Sequence, residues 1–373
     1  MESLRKSKKI AFISGTFPPT ICGVGMYSYR LLDELGKNKN LEIHLITGKI
    51  KNIPKINNFK IHEFNNQWDK DSFKEIINII KKIDPDIINL QFPTLLYQYK
   101  FNTQFLIKNI KRNFPNITLI LTLHELSQAH IIAKIRNIFL LKQFKYIIFT
   151  NINDMEYAQK IKILKNKKVL NIPIFPINHY YKEKIGKSNY FCFIGTLDNK
   201  KGMEYLLNSI NILKNEGLNI KLKILTEIKD TDKYHIYIKK LINKYNLKDN
   251  ITLYRKLTPK AISKEISKSF AVILPYRLGV SPRNTTFLEA ISYRKPVITT
   301  KGKYTNKKIF INNKNCILIS PKDSKSLSNN IKTLLNNKKL YNKLGNNSYK
   351  IFQDKNNIHN IAKKYIKYYI SCI

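Results

Sequence analysis

Acidic residues are scarce in this chain. Only 25 aspartates and glutamates stand against 67 lysines and arginines, leaving a formal net charge of +42 over 373 residues. Arginine is scarce too, at 8 of those 67. Nucleic-acid readers rely on arginine for bidentate contacts and gather their charge on one face. Here lysines spread along nearly every segment and form no long basic run, so nucleic acid is set aside as a partner. Two readings of the charge stay open and can hold together. One is a composition heavy in lysine, asparagine and isoleucine, as a very AT-rich genome imposes; the other is attraction to an anionic membrane surface.

Cysteine is also sparse, and Cys22, Cys192, Cys316 and Cys372 show no paired spacing. That excludes a disulfide framework or a CxxC metal knuckle and leads us to expect reduced, mostly structural thiols in a cytoplasmic protein. Long apolar runs are missing as well. The first is residues 10–13, which Gly15, Thr16, Phe17, Pro18 and Pro19 soon follow, too short for the core of a signal peptide. No run approaches the ~18 residues of a spanning helix. The expected location is cytoplasmic, with the inner membrane face as a possible peripheral site. What is present is enough apolar content, 43%, and enough length for two domains of ordinary size.

Short apolar strands alternate with amphipathic helices. Strands are predicted at 9–14, 42–47, 87–91, 118–122 and 146–150, with helices such as 26–35 and 71–83 between them. After a proline-bearing stretch the scheme repeats, with strands at 190–194, 221–225, 251–254, 271–274 and 296–299 and helices at 203–215, 232–245, 261–268 and 285–294. This alternation predicts an α/β protein with two Rossmann-like parallel sheets covered by helices. The predicted domains are 1–172 and 188–350, joined by a hinge at 173–187, with a terminal helical segment 351–373 packing back on the first domain. Ligands of such sheets bind beyond the carboxyl ends of strands, and two facing halves would make a cleft.

The richest stretch is 276–300, YRLGVSPRNTTFLEAISYRKPVITT. A strand leads into a polar loop with Ser281, Arg283 and Asn284, and a helix opens at Thr285 and Thr286. Free N–H groups at a helix start favour an anion, and Glu289, one turn on, can reach a hydroxylated group. A diphosphate beside a ribose satisfies both features. In the first loop, Gly23 and Gly25 allow close backbone approach, either to a ligand or for the turn alone. A dinucleotide fingerprint fails, because Ser28 stands where its third glycine would be and Thr47 and Gly48 where its acid would end strand two. His124 and Glu125 follow a strand end. An HExxH zinc motif needs histidine where Gln128 stands, and His130 lies off that face. His124 is either a structural histidine or one placed for function. Asp84 with Asp86 and Asp230 with Asp232 look like metal-nucleotide pairs, but a helix stop and an N-cap explain them better. Gly195, Thr196 and Lys201 sit in a strand-to-helix loop suited to a phosphate.

Together, FPPTICGVGMYSYRLLDEL (17–35), PDIINLQFP (85–93), LTLHE (121–125), IGTLDNKKGMEYLLNSINIL (194–213) and GVSPRNTTFLEAISYRKPVITT (279–300) resemble the GT-B glycosyltransferases of the family 4-like, group 1 superfamily. The resemblance implies a sugar transferred from a nucleoside-diphosphate-sugar to a glycan or lipid-linked acceptor, with retained configuration, no metal and no cofactor. It places Gly23 and Gly25 near the donor phosphate and acceptor, and Val24, Tyr27 and Glu125 on the acceptor side. His124 would face the reacting sugar. Lys201 and Arg283 would neutralise the diphosphate beside Thr196, Ser281 and Asn284. Thr285 and Thr286 would bind its oxygens, and Glu289 would hold the ribose. His124, Lys201 and Glu289 are the implied catalytic residues. Three departures stand out. Ser281 replaces the first glutamate of the family's E-x7-E pattern, Thr196 replaces a common arginine, and Arg255 with Lys256 replace a common glycine. A catalytically inactive nucleotide-sugar- or glycan-binding homologue is the alternative reading.

Overall fold

The computed structural model describes residues 7–20, 22–52, 56–65, 68–94, 101–177, 188–254 and 257–372. Contacts divide the chain into two units. Unit 1 runs up to Phe175 and resumes at Ile358, and unit 2 spans Pro176–Asn357.

Unit 1 is wound as β1 (Lys8–Ser14), α1 (Gly23–Leu35), β2 (Leu41–Gly48), β3 (Lys60–Phe64), α2 (Lys70–Ile83), β4 (Ile87–Phe92), α3 (Asn102–Asn113), β5 (Thr118–Leu123), α4 (Ile131–Lys142), β6 (Tyr146–Phe149), α5 (Ile152–Lys160) and β7 (Lys168–Asn171). The seven strands pair in parallel in the order β3-β2-β1-β4-β5-β6-β7. Central parallel strands are buried on both faces, which requires near-continuous apolar runs. Accordingly Ile10, Ala11, Phe12 and Ile13 are fully buried, and all of β4 is buried. α2 illustrates the helical cover. The Asp69 carboxylate accepts from the Asp71 and Ser72 N–H groups at its start. Phe73, Ile76, Ile80 and Ile83 are its buried stripe, and it stops at Asp84 in a left-handed conformation, φ 51°.

Unit 2 contains β8 (Tyr190–Ile194), α6 (Met203–Asn215), β9 (Lys221–Leu225), α7 (Lys233–Lys244), β10 (Ile251–Tyr254), α8 (Pro259–Lys268), β11 (Ala271–Leu274), α9 (Thr285–Ser292), β12 (Val297–Thr300), β13 (Ile317–Ile319), α10 (Ser324–Asn336) and α11 (Lys338–Ile351). Its six-stranded parallel sheet has the order β10-β9-β8-β11-β12-β13. A π-helical turn, Phe352–Asn356, follows α11. The chain then returns to unit 1 as α12 (Ile358–Ile370). The segment 351–373 therefore divides: residues up to Asn357 stay with unit 2, and only those from Ile358 pack on unit 1. Of the expected hinge, 173–175 belong to unit 1 and 176–177 to unit 2, while 178–187 lie outside the described residues.

Three strands were not expected from the sequence: β3, β7 and β13. β3 and β7 are sheet edges in which most residues remain partly exposed, so neither carries an apolar run, and β13 has only three residues. Both sheets reverse strand order once, between β1 and β4 and between β8 and β11. Loops leaving the carboxyl ends of strands beside such a reversal splay apart and leave a crevice. The loops singled out from the sequence leave β1, β5, β8 and β11.

Candidate active site

In unit 2, β11 ends in Pro275 and Tyr276, and a tight loop carries the chain to α9. Gly279 takes φ 82°, and a Cβ there would lie 2.2 Å from the Gly302 nitrogen, so only glycine fits. The Asn284 side chain does not cap α9; its Oδ1 instead accepts from the Ser281 N–H at 2.6 Å. The first N–H groups of α9 are thus left without a side-chain cap, and the positive end of the helix dipole lies beside the switch point. Thr285 and Thr286 are half-buried at this end, and Glu289 lies one turn in with 3% exposure.

Thr286 is held by Tyr276, whose hydroxyl lies 2.5 Å from the Thr286 Oγ1. Burial raises the Tyr276 phenol well above its usual pKa, so it stays protonated. The Lys201 ammonium sits 5.1 Å from the centre of the same ring. Lys201 closes the short 3₁₀ turn Asn199–Lys201, which Asp198 starts by accepting from the Lys200 N–H at 2.9 Å. Burial lowers the Lys201 pKa; Asp198 opposes that shift and Lys200 adds to it. Gly202 follows with φ 68°, and a Cβ on it would lie 2.1 Å from the Pro275 oxygen. The β8 and β11 loops are therefore pressed together at this glycine. Gly195, φ 129°, faces Thr286 across the gap at 3.7 Å from an added Cβ.

Lys201, Tyr276, Thr286 and Gly195 are thus brought together, with Arg283, Thr285 and Glu289 on the loop and helix that carry Thr286. Two expected contacts read differently. The Thr196 Oγ1 donates to Asp198 at 2.8 Å, which supports the turn that presents Lys201. Ser281 is buried, and its Oγ accepts weakly from the Arg283 N–H at 3.4 Å, so it shapes the loop together with Asn284.

In unit 1 the β1 loop leads to α1. Gly25 serves the chain's own packing, since a Cβ there would lie 3.0 Å from the Thr16 oxygen. Gly23 meets nothing within 4 Å and is exposed beside half-buried Val24. Tyr27, expected on the acceptor side, is buried at 3% exposure. Its hydroxyl lies 3.0 Å from that of Tyr365 on α12, and its ring stacks on Phe175 and meets His124 edge-on at 5.0 Å. A side chain so enclosed positions His124 and is not available to touch an acceptor.

His124 follows β5 and is 7% exposed. Its Nε2 lies 3.0 Å from the Gln91 Oε1 and its Nδ1 3.4 Å from the Thr150 hydroxyl. Gln91 donates to the Asn89 Oδ1, which also accepts from Thr122, both at 2.9 Å; Asn89 donates to the Tyr369 hydroxyl at 2.8 Å. A buried polar chain thus runs from His124 through β4 to α12. Half-buried Glu125 gives its backbone oxygen to Asn137 Nδ2 of α4 at 2.7 Å.

Sequence reasoning missed Tyr276, Gln91 and Tyr369. The signal for Tyr276 was its place, an aromatic at the mouth of a buried strand just before the loop. Arg277 was also passed over; it pairs with Glu204 and donates its backbone N–H to the Lys200 oxygen at 2.9 Å, a second tie between the two loops. The acidic look-alikes are structural. Asp86 accepts from Lys9 N–H at 2.8 Å, Asp230 pairs with Lys239, and Asp232 caps α7.

Residues 178–351 match the model of the glycosyl transferases group 1 family. Unit 2 is a group 1 glycosyltransferase domain. The chain is accordingly a transferase of the glycosyl class. Comparison with curated proteins finds no match. Among solved structures, a sucrose-phosphate synthase from Thermosynechococcus elongatus is 16% identical with TM-score 0.75, covering 98% of both chains. A glycosyltransferase from Rickettsia africae is 15% identical with TM-score 0.78, again over 98% of both. The Anabaena protein HepE, solved in complex with UDP, is 14% identical with TM-score 0.72, over 97% of this chain and 100% of that one. At such identities the likeness speaks for the fold, two Rossmann-like parallel-sheet domains of the GT-B kind. Among the described residues, no helix of this glycosyltransferase is long and apolar enough to cross a membrane.

Proposed function

We propose that this glycosyltransferase moves a sugar from a nucleoside-diphosphate-sugar to a glycan or lipid-linked acceptor in cell-surface polysaccharide or glycoconjugate synthesis. In this reading configuration is retained and neither metal nor cofactor takes part. The observation that carries it is the start of α9 without a side-chain cap, flanked by Thr286 and facing Lys201. As the bond between sugar and diphosphate breaks, negative charge grows on the leaving oxygens. Backbone N–H groups, two hydroxyls and the cations of Lys201 and Arg283 stabilise that charge where a metal would otherwise serve. Glu289 accepts from the ribose hydroxyls. His124, fixed by Gln91 and Tyr27, presents its edge to the sugar. HepE, of like fold, is solved with UDP and UDP-glucose, which favours UDP among the nucleotides.

The test is thermal-shift titration with UDP, GDP, ADP and their sugars. One of these should raise the melting temperature. Arg283→Ala, which removes a charge-assisted contact, should weaken that ligand ~10- to 100-fold, and Glu289→Ala should weaken it as well. Unchanged titrations in both variants would refute the site. The inactive-homologue reading draws on Ser281, a loop-shaping residue at the position of the missing glutamate. Nucleotide release that persists in EDTA supports the enzyme, and binding without release supports the homologue.

A further inference from the structure

Among its described residues, unit 1 exposes a large apolar face. On α3 and just before it, Phe101 and Phe105 are 40% and 57% exposed; on α4, Ile131, Ile132, Ile135 and Phe139 are exposed by 60%, 56%, 45% and 52%. The α4 positions fall on one helical face. Phe101 and Phe139 meet edge-on at 6.3 Å, and the Gln104 Nε2 donates to the Arg136 oxygen at 3.0 Å, so the two helices present a single ridge. Single exposed apolar residues need no explanation, but a contiguous set of this size does.

The charge carried by the two helices has one sign. Neither α3 nor α4 contains an aspartate or glutamate, and Glu125 is the one acid between Asp86 and Asp154. Lys108 and Lys142 lie against the rings of Phe105 and Phe139, 6.0 and 5.6 Å from their centres, and Lys111 and Arg112 are exposed at the end of α3. Apolar side chains flanked by cations on helices that carry no acid suit the headgroup region of an anionic bilayer. A protein partner would need matching acids around an apolar groove; a bilayer supplies both everywhere.

We propose that the ridge formed by α3 and α4 docks unit 1 on an anionic membrane surface, with Phe105, Ile132, Ile135 and Phe139 entering the headgroup region. α4 begins in the loop that carries His124 and Glu125, and Asn137 ties it to that loop. Docking would therefore bring the acceptor-side loop to the lipid, a placement that rests on the proposed reaction, whereas the docking itself does not.

The test is co-sedimentation of the full chain with vesicles of phosphatidylcholine alone or mixed with phosphatidylglycerol, at ~0.15 M ionic strength where distant charges are screened. The wild type should pellet with the anionic vesicles and stay in solution with neutral ones. Replacing Phe105, Ile132, Ile135 and Phe139 by Gln should lower the partition at least ~10-fold, with an unchanged melting curve showing the fold intact. Lys108→Glu with Lys111→Glu and Lys142→Glu should do the same while every apolar side chain of the ridge is kept. Equal pelleting with neutral vesicles would overturn the proposal. So would an apolar variant that binds as the wild type does, since the charge of the whole chain would then suffice. A wild-type dimer that the apolar variant dissolves would assign the face to a second copy instead. Failure of the glycosyl-transfer reading would show separately, as the absence of any nucleotide-induced shift.

Discussion

Lys295, just ahead of β12, offers a direct measurement of what a buried charge costs this fold. Its side chain is 0% exposed, and its Nζ has no hydrogen-bond partner among the described residues. Burial lowers its pKa from the ordinary 10.5 to about 8, with Cys192 opposing the shift. A gap of that size is worth about 3 kcal/mol, because each unit of pKa is 1.36 kcal/mol of preference for one protonation state. The unfolded chain protonates below 10.5 and the folded chain only below about 8. Between those values the unfolded state binds more protons, so stability rises with pH across that window. Below about 8 both states are charged and the folded state bears the full cost; above 10.5 both are neutral and the cost vanishes. Lys295→Met keeps an unbranched side chain of similar length and removes the charge. At pH 7 it should stabilise unit 2 by up to ~3 kcal/mol, and the gain should shrink to nothing as pH approaches 10.5. Urea unfolding of both proteins at a series of pH values, read as the difference between them, cancels every other group that titrates there. A constant difference across the window, or a variant less stable at pH 7, would refute the reasoning.

Two further substitutions test the packing behind the site. Tyr369→Phe leaves the buried Asn89 amide without its acceptor, a loss of ~1–3 kcal/mol; calorimetry should show the lower melting temperature, and a melt matching wild type would remove Tyr369 from the polar chain. Gly202→Ala forces a Cβ to within 2.1 Å of the Pro275 oxygen at φ 68°, while Gly217→Ala meets nothing within 4 Å at φ 82°. Both carry the backbone cost of ~1 kcal/mol, so Gly202→Ala should melt clearly lower than Gly217→Ala and should also weaken nucleotide binding; equal melts would mean the two loops are not pressed together.

Much of the fold was legible because central parallel strands must be apolar throughout. β1, β4, β5, β8 and β11 announce themselves as runs such as IAFI and AVIL. The edges do not: Lys60, Ile61, His62 and Glu63 read as loop because only one side of an edge strand meets the core. The second-unit site was legible in kind, since small hydroxyls at a helix start and a carboxylate one turn on are local features. Which of those residues face outward was not. Ser281 and Asn284 spend their polar atoms on each other's loop, and nothing local distinguishes them from Thr286. The surroundings of His124 were the least legible, because Tyr365 and Tyr369 lie far along the chain and no spacing rule connects them to Tyr27 or Asn89.

That distance bears on how the protein is made. The hydroxyl that accepts the hydrogen bond from the Asn89 amide lies 280 residues downstream. A ribosome delivers β4 and β5 early, then all of unit 2, and only afterwards the helix that closes the first sheet's polar interior. Unit 1 cannot complete its packing until α12 has emerged, and until then the Asn89 amide lacks its Tyr369 acceptor. A chain lacking α12 would therefore keep the elements of unit 2 and lose the Tyr369 end of the polar chain behind His124.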